Sequence, residues 1–103
     1  MLKFARIAVC ATLAAASIGY AQNSGADLYK AKCAQCHGAD GTGNTPAGKA
    51  MKTPSFKSAD SAKLSDADMI TLTTNGKGKM PAYKGKLTDA QIKDVVAFIH
   101  TLK

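Results

Sequence analysis

The chain has 103 residues, 46% of them apolar and 6% aromatic, with no Trp and a formal net charge of +7. That length holds one small domain and excludes a multidomain assembly. Beyond Arg6 every cation is Lys, Glu is absent, and no aromatic stripe interleaves the lysines; this argues against nucleic-acid binding and for acidic protein partners attracted over a distance.

Residues 1–21 read as a secretory signal. Lys3 and Arg6 form its positive start, Ile7 to Ala16 its apolar stretch, and Gly19-Tyr20-Ala21 offers small residues at the cleavage site. The apolar run is short for a membrane span of about 20 residues. Cleavage after Ala21 is therefore expected, leaving residues 22–103 as one domain without stable membrane insertion. The address is extracytoplasmic: periplasm first, a thylakoid lumen or similar space as the alternative. Cys10 leaves with the signal. Val9 stands where a lipoprotein signal would carry a small residue.

Asn23 or Ser24 can cap a first helix from about Gly25 to Cys33, with Asp27 near its positive end. Gly25, Leu28, Tyr29 and Lys32 share one face. Gly25 would permit close approach of another helix, and Tyr29 is expected in the core.

Cys33-Ala34-Gln35-Cys36-His37 has the C-x-x-C-H form of c-type haem attachment. Two thiols in one helical turn face the same side and can form thioethers to one porphyrin edge, while the imidazole of His37 reaches the iron. Other readings fit less well. A disulfide across two intervening residues closes a tiny loop and stabilises little. A thioredoxin-like pair wants a β-α-β setting. A zinc site lacks a specified fourth ligand. One covalent haem c per chain would also staple a domain too small to rely on its own side chains.

Gly38 to Gly48 is turn chemistry, not a phosphate cradle. Residues 49–63 read as an irregular loop with at most a short helical turn. Ser65 caps a helix carrying Asp66 and Asp68 in its first turn and Met69, Ile70 and Leu72 on its apolar side; Asn75-Gly76 ends it. A basic, glycine-punctuated loop follows over residues 77–86. Thr88-Asp89-Ala90-Gln91 forms a capping box opening a last helix from about Asp89 to Leu102, with Ile92, Val95, Val96, Phe98 and Ile99 as its stripe. The periodicity is all-α, without repeats or strands.

Haem iron held by His37 has Met51, Met69, Met80 and His100 as candidates for its other face. Met69 suits core packing, Met51 sits in an unconstrained loop, and His100 suits interaction with a helix C-terminus. Met80 stands out because Pro81 stiffens its segment and Gly78 and Gly85 let a loop wrap a flat disc closely.

Cys33-Ala34-Gln35-Cys36-His37-Gly38, then Gly78-Lys79-Met80-Pro81-Ala82-Tyr83, then Leu87-Thr88-Asp89 with Val96-Ala97-Phe98-Ile99 resemble a small class I cytochrome c, of the short bacterial c551, c553 and c6 type. The resemblance spans the mature chain. It implies three main helices and loops around one haem, thioethers from Cys33 and Cys36, and axial ligation by His37 and Met80. It also implies that the Pro46 carbonyl accepts a hydrogen bond from His37, and that the first and last helices cross, Gly25 and Tyr29 meeting Val95, Phe98 and Ile99. The function expected is that of a monomeric electron carrier, not an enzyme. Lys77, Lys79, Lys84 and Lys86 would dock acidic redox partners. Alternatives are a dedicated haem subunit of a dehydrogenase or oxidase and a peroxidase or gas sensor with an open distal site.

Overall fold

The computed structural model describes residues 24–103; the signal at 1–21 and the alternative cap Asn23 lie outside them. Six helical segments form, each begun by its own local chemistry. The Ser24 hydroxyl accepts from the Asp27 N–H (3.2 Å) and starts α1, Gly25–Lys32. α1 stops one residue early, because Cys33 turns to φ −118°, and the chain resumes as α2, Ala34–His37.

The stretch read as turn and irregular loop holds two short helices, one unexpected and one the short helical turn that residues 49–63 were expected at most to contain. Thr45 caps α3, Pro46–Met51, with Pro46 at its first position, where a missing N–H costs nothing. Ser58 caps α4, Ala59–Ala62. Pro46 thus starts a helix within the segment expected to turn.

α5, Asp66–Asn75, carries a reciprocal capping box between Ser65 and Asp68 and ends at Gly76. α6, Asp89–His100, begins at the expected Thr88–Gln91 box and ends two residues before Leu102. Among the described residues there are isolated bridges at Lys77–Met80 and Lys84–Leu87 but no named strand.

The core follows the apolar stripes. Leu28 and Tyr29 of α1 meet Ile92, Val95, Val96 and Ile99 of α6, with Met69 and Leu87 beside them. Phe98 is partly buried and its ring lies 5.2 Å from that of Tyr29. The close approach rests on Gly25: a Cβ there would overlap the Asp94 carbonyl oxygen and come within 2.7 Å of its carbonyl carbon.

Candidate functional site

The first half of the site is a deliberately tightened turn. The Cys33 carbonyl accepts from the N–H groups of both Cys36 (3.2 Å) and His37 (2.9 Å), closing α2 into a single turn. Two outside groups support it. The Thr45 hydroxyl donates to the Gln35 carbonyl (2.7 Å) while accepting from the Gly48 N–H (2.9 Å), so the cap of α3 also holds the end of α2. The buried Tyr29 hydroxyl donates to the Gly38 carbonyl (2.6 Å). Burial, then the neighbouring Cys33 and Asp40, raise the Tyr29 pKa and keep the phenol a donor.

The second half is the loop after α5. Lys77 and Met80 exchange backbone hydrogen bonds (3.1 and 3.0 Å) across a tight turn. Gly76 brings this turn against the helix end: a Cβ there would stand 2.6 Å from the Met80 carbonyl oxygen and 2.8 Å from the Ala82 nitrogen, and its φ is +72°. Gly78 and Gly85 were expected to supply close approach. Both have positive φ and no protein atom within 4 Å of a Cβ, which leaves room there for a flat group, and Gly78 lines the cavity; Gly76 makes the close approach to protein backbone.

The two halves meet around a cavity of about 1240 Å³ lined by Cys33, Cys36, His37, Met80 and Pro81 together with the core residues Met69, Val95 and Ile99. Ordinary small-molecule pockets run from about 300 to 1,000 Å³, so this one suits a large flat group that would complete the core. The His37 ring stacks on Phe56, with centroids 4.7 Å apart and planes 12° from parallel. Burial lowers the His37 pKa, favouring the neutral imidazole that ligates metals. Burial foremost, and then Cys36, push the Cys33 thiol up to about 11. Both cysteines are free of a disulfide, and the described residues show no group of three His, Cys, Asp or Glu able to hold a metal. Two thiols, a neutral imidazole and a thioether around one large apolar cavity fit covalent haem, with donors for its edge and its iron.

Pro46 is a correction. Its expected hydrogen bond from His37 is not made: His37 Nδ1 is buried without a partner. Pro46 is exposed at the start of α3 and does not line the cavity, whereas Pro54 does.

The four lysines separate. Lys77 and Lys79 line the cavity mouth; Lys84 and Lys86 are exposed outside the lining, and Lys86 Nζ lies 5.7 Å over the Tyr83 ring. Lys32 and Lys52 also line the cavity, a role their spacing in the chain could not show. Of the remaining ligand candidates, His100 falls outside the cavity, while Met51 and Met69 line it along with Met80. His100 contacts Asp66 through its Nε2, linking the end of α6 to the start of α5. Met69 is 6% exposed and belongs to the core while also facing the cavity; Met51 lines it at the surface, 45% exposed. Tyr83 and Phe56 are the side chains that reading the sequence missed. The sequence signal for Tyr83 was its place three residues after Met80; Phe56 had none beyond its apolar character.

Comparison with known proteins finds c-type cytochromes. The family model described as cytochrome C oxidase, cbb3-type, subunit III matches residues 21–99. A cytochrome c6 of Leptolyngbya boryana is 38% identical over 78 residues, covering 74% of this chain and 86% of that protein. The cbb3-type cytochrome c oxidase subunit FixP of Azorhizobium caulinodans is 36% identical over 86 residues, which cover 80% of this chain but 27% of that protein. Among solved structures, the KustC0563 c-type cytochrome has a TM-score of 0.71 at 33% identity, covering 78% of this chain and 98% of its own. Cytochrome c6C from Synechococcus sp. PCC 7002 has a TM-score of 0.57 at 32% identity, with coverage of 75% and 90%.

Proposed function

Because this chain belongs to the small class I c-type cytochromes, we propose that it is an exported one-electron carrier in which Cys33 and Cys36 form the thioethers and His37 and Met80 are the axial ligands. The cofactor of the family is covalently attached haem c, which supplies an iron that cycles between Fe(II) and Fe(III). One observation carries the reading: a single large cavity gathers both thiols, the neutral imidazole and Met80.

The protein's own part is to hold these donors and keep water away. His37 is held by its stack on Phe56 and by the tightened turn of α2. Met80 is held by the Lys77 turn and by Gly76 beneath it. With His37 and Met80 both holding the iron, no position would be left for a substrate, as suits a carrier and not an enzyme. A soft thioether donor raises the reduction potential, and the apolar surroundings of Met69, Val95 and Ile99 act in the same direction. Lys77 and Lys79 at the mouth, extended by Lys84 and Lys86, attract acidic redox partners. Such redox encounters bury little surface and are short-lived.

The signal pattern at residues 1–21 supports export, with the periplasm as the compartment, and the small size supports a monomer. No helix among the described residues is long and apolar enough to cross a membrane. A second reading, a haem module dedicated to one oxidase, is favoured by the cbb3-type family model and the FixP match. Gentle purification separates the two: a carrier emerges alone, a subunit with its complex.

Optical and magnetic spectra of the holoprotein in both redox states test the ligands. Low-spin ferric iron is expected, with Met80→Ala abolishing the thioether signature. A high-spin wild type, or an unchanged Met80→Ala spectrum, removes Met80 from the site. Reduction rates with an acidic partner should fall as salt rises and fall again on Lys→Gln at 77 and 79; rates indifferent to both sink the docking surface.

A further inference from the structure

The break between α1 and α2 deprives the Lys32 carbonyl of its helical partner. In an unbroken helix the Lys32 carbonyl would accept from the Cys36 N–H. That N–H turns to the Cys33 carbonyl instead. The Lys32 carbonyl is taken up from the far side of the site: the Tyr83 hydroxyl donates to it at 2.9 Å, across 51 positions in sequence.

Tyr83 is itself anchored on its other side. Its N–H donates to the Thr73 carbonyl (3.0 Å) at the end of α5, and its carbonyl accepts from the N–H groups of Lys86 (2.9 Å) and Leu87 (3.0 Å). Its half-buried ring lines the cavity that Met80 also lines, and the Lys86 ammonium lies over that ring. One residue thus joins the loop of Met80, the end of α5 and the segment that enters Cys33.

We infer that Tyr83 is a positioning residue, strapping the Met80 loop to the Cys-x-x-Cys-His segment and so resisting displacement of Met80; the inference rests on the ligand reading above. Swinging the loop outward far enough to release Met80 breaks the strap. Phe at this position keeps the ring but loses the bond. The exposed Lys32 carbonyl then turns to water, so the effect is modest.

The test is titration of ferric holoprotein with imidazole, which competes for the Met80 position. Tyr83→Phe should bind imidazole roughly 2- to 10-fold more tightly than wild type, the worth of one ordinary hydrogen bond. In a Met80→Ala background the same change should have no effect, because no protein ligand remains to be displaced. Wild-type affinity in Tyr83→Phe, or equal tightening with and without Met80, overturns the strap while leaving the ligand reading intact. If Met80→Ala alters neither the ferric spectrum nor imidazole affinity, the ligand reading fails and the strap fails with it.

Discussion

Gly25→Ala tests the packing that brings the two halves of the domain together. An alanine Cβ at this position overlaps the Asp94 carbonyl oxygen and lies 2.7 Å from the carbonyl carbon, with the Val95 nitrogen at 3.3 Å. These are backbone atoms of α6, so no side chain can rotate away; the helices must separate. Val95 is 0% exposed and Tyr29 1%, so separation loosens the best-packed part of the core. Overpacking of this kind costs about 1–3 kcal/mol, and a rigid neighbour places it at the upper end. The better helix propensity of Ala returns at most about 1 kcal/mol, leaving a net loss of ~2 kcal/mol. At about 4–8 °C per kcal/mol for a domain of this size, Tm should fall by roughly 8–16 °C. Thermal unfolding of the holoprotein followed by far-ultraviolet circular dichroism reads this directly. A Tm within about 3 °C of wild type would refute backbone-to-backbone contact at Gly25.

Tyr29→Phe should cost about 1 kcal/mol in chemical denaturation, by loss of the buried bond to Gly38. Because the native Tyr29 pKa is raised, its contribution is complete below the unfolded phenol's value of about 10 and is lost as pH rises from there through the native value. Stability of Tyr29→Phe should therefore fall less steeply with alkali than wild type; equal slopes would exclude Tyr29 from the alkaline transition. Asp40 has the opposite sign. Hydrogen bonds from the Thr42 hydroxyl and N–H lower its pKa, so its contribution is present above the ordinary carboxylate value and is lost as pH falls through the native one. Asp40→Asn should flatten the acid side of a Tm-against-pH curve and leave its alkaline side alone. Thr88→Ala should lower stability by about 1 kcal/mol through loss of the α6 cap; an unchanged urea midpoint would show that the capping box contributes nothing.

The elements legible in the chain were those with local causes. Ser65 and Thr88 accept from N–H groups three residues on, and Gly76 ends α5, whatever the rest of the molecule does. Thr45-Pro46 and Ser58 use the same chemistry, yet α3 and α4 are short and surrounded by turn residues, so their apolar periodicity was too brief to register. The end of α1 near Cys33 was expected, but its immediate restart as α2 left no local signal. That turn is closed by bonds to the Cys33 carbonyl and by Thr45 from the next helix.

The turn proposed to bind haem is legible because covalent attachment needs two thiols and an imidazole at one spacing, which five consecutive residues carry. The stripes of α1 and α6 are equally local, because a 3.6-residue period is visible without a partner. Which groups surround the cavity is another matter. Phe56 stacked on His37, Lys32 and Lys52 at the mouth, Gly76 beneath Met80 and Tyr83 reaching Lys32 all join residues far apart in the chain. Pro46 begins α3 behind the Thr45 cap, a place that its distance from His37 in the chain did not show. Contacts across the fold depend on how helices cross and loops close, and that depends on the packing of all the stripes at once. The C-x-x-C-H motif is therefore written in the chain, while the hold on His37 and Met80 is decided by the folded structure.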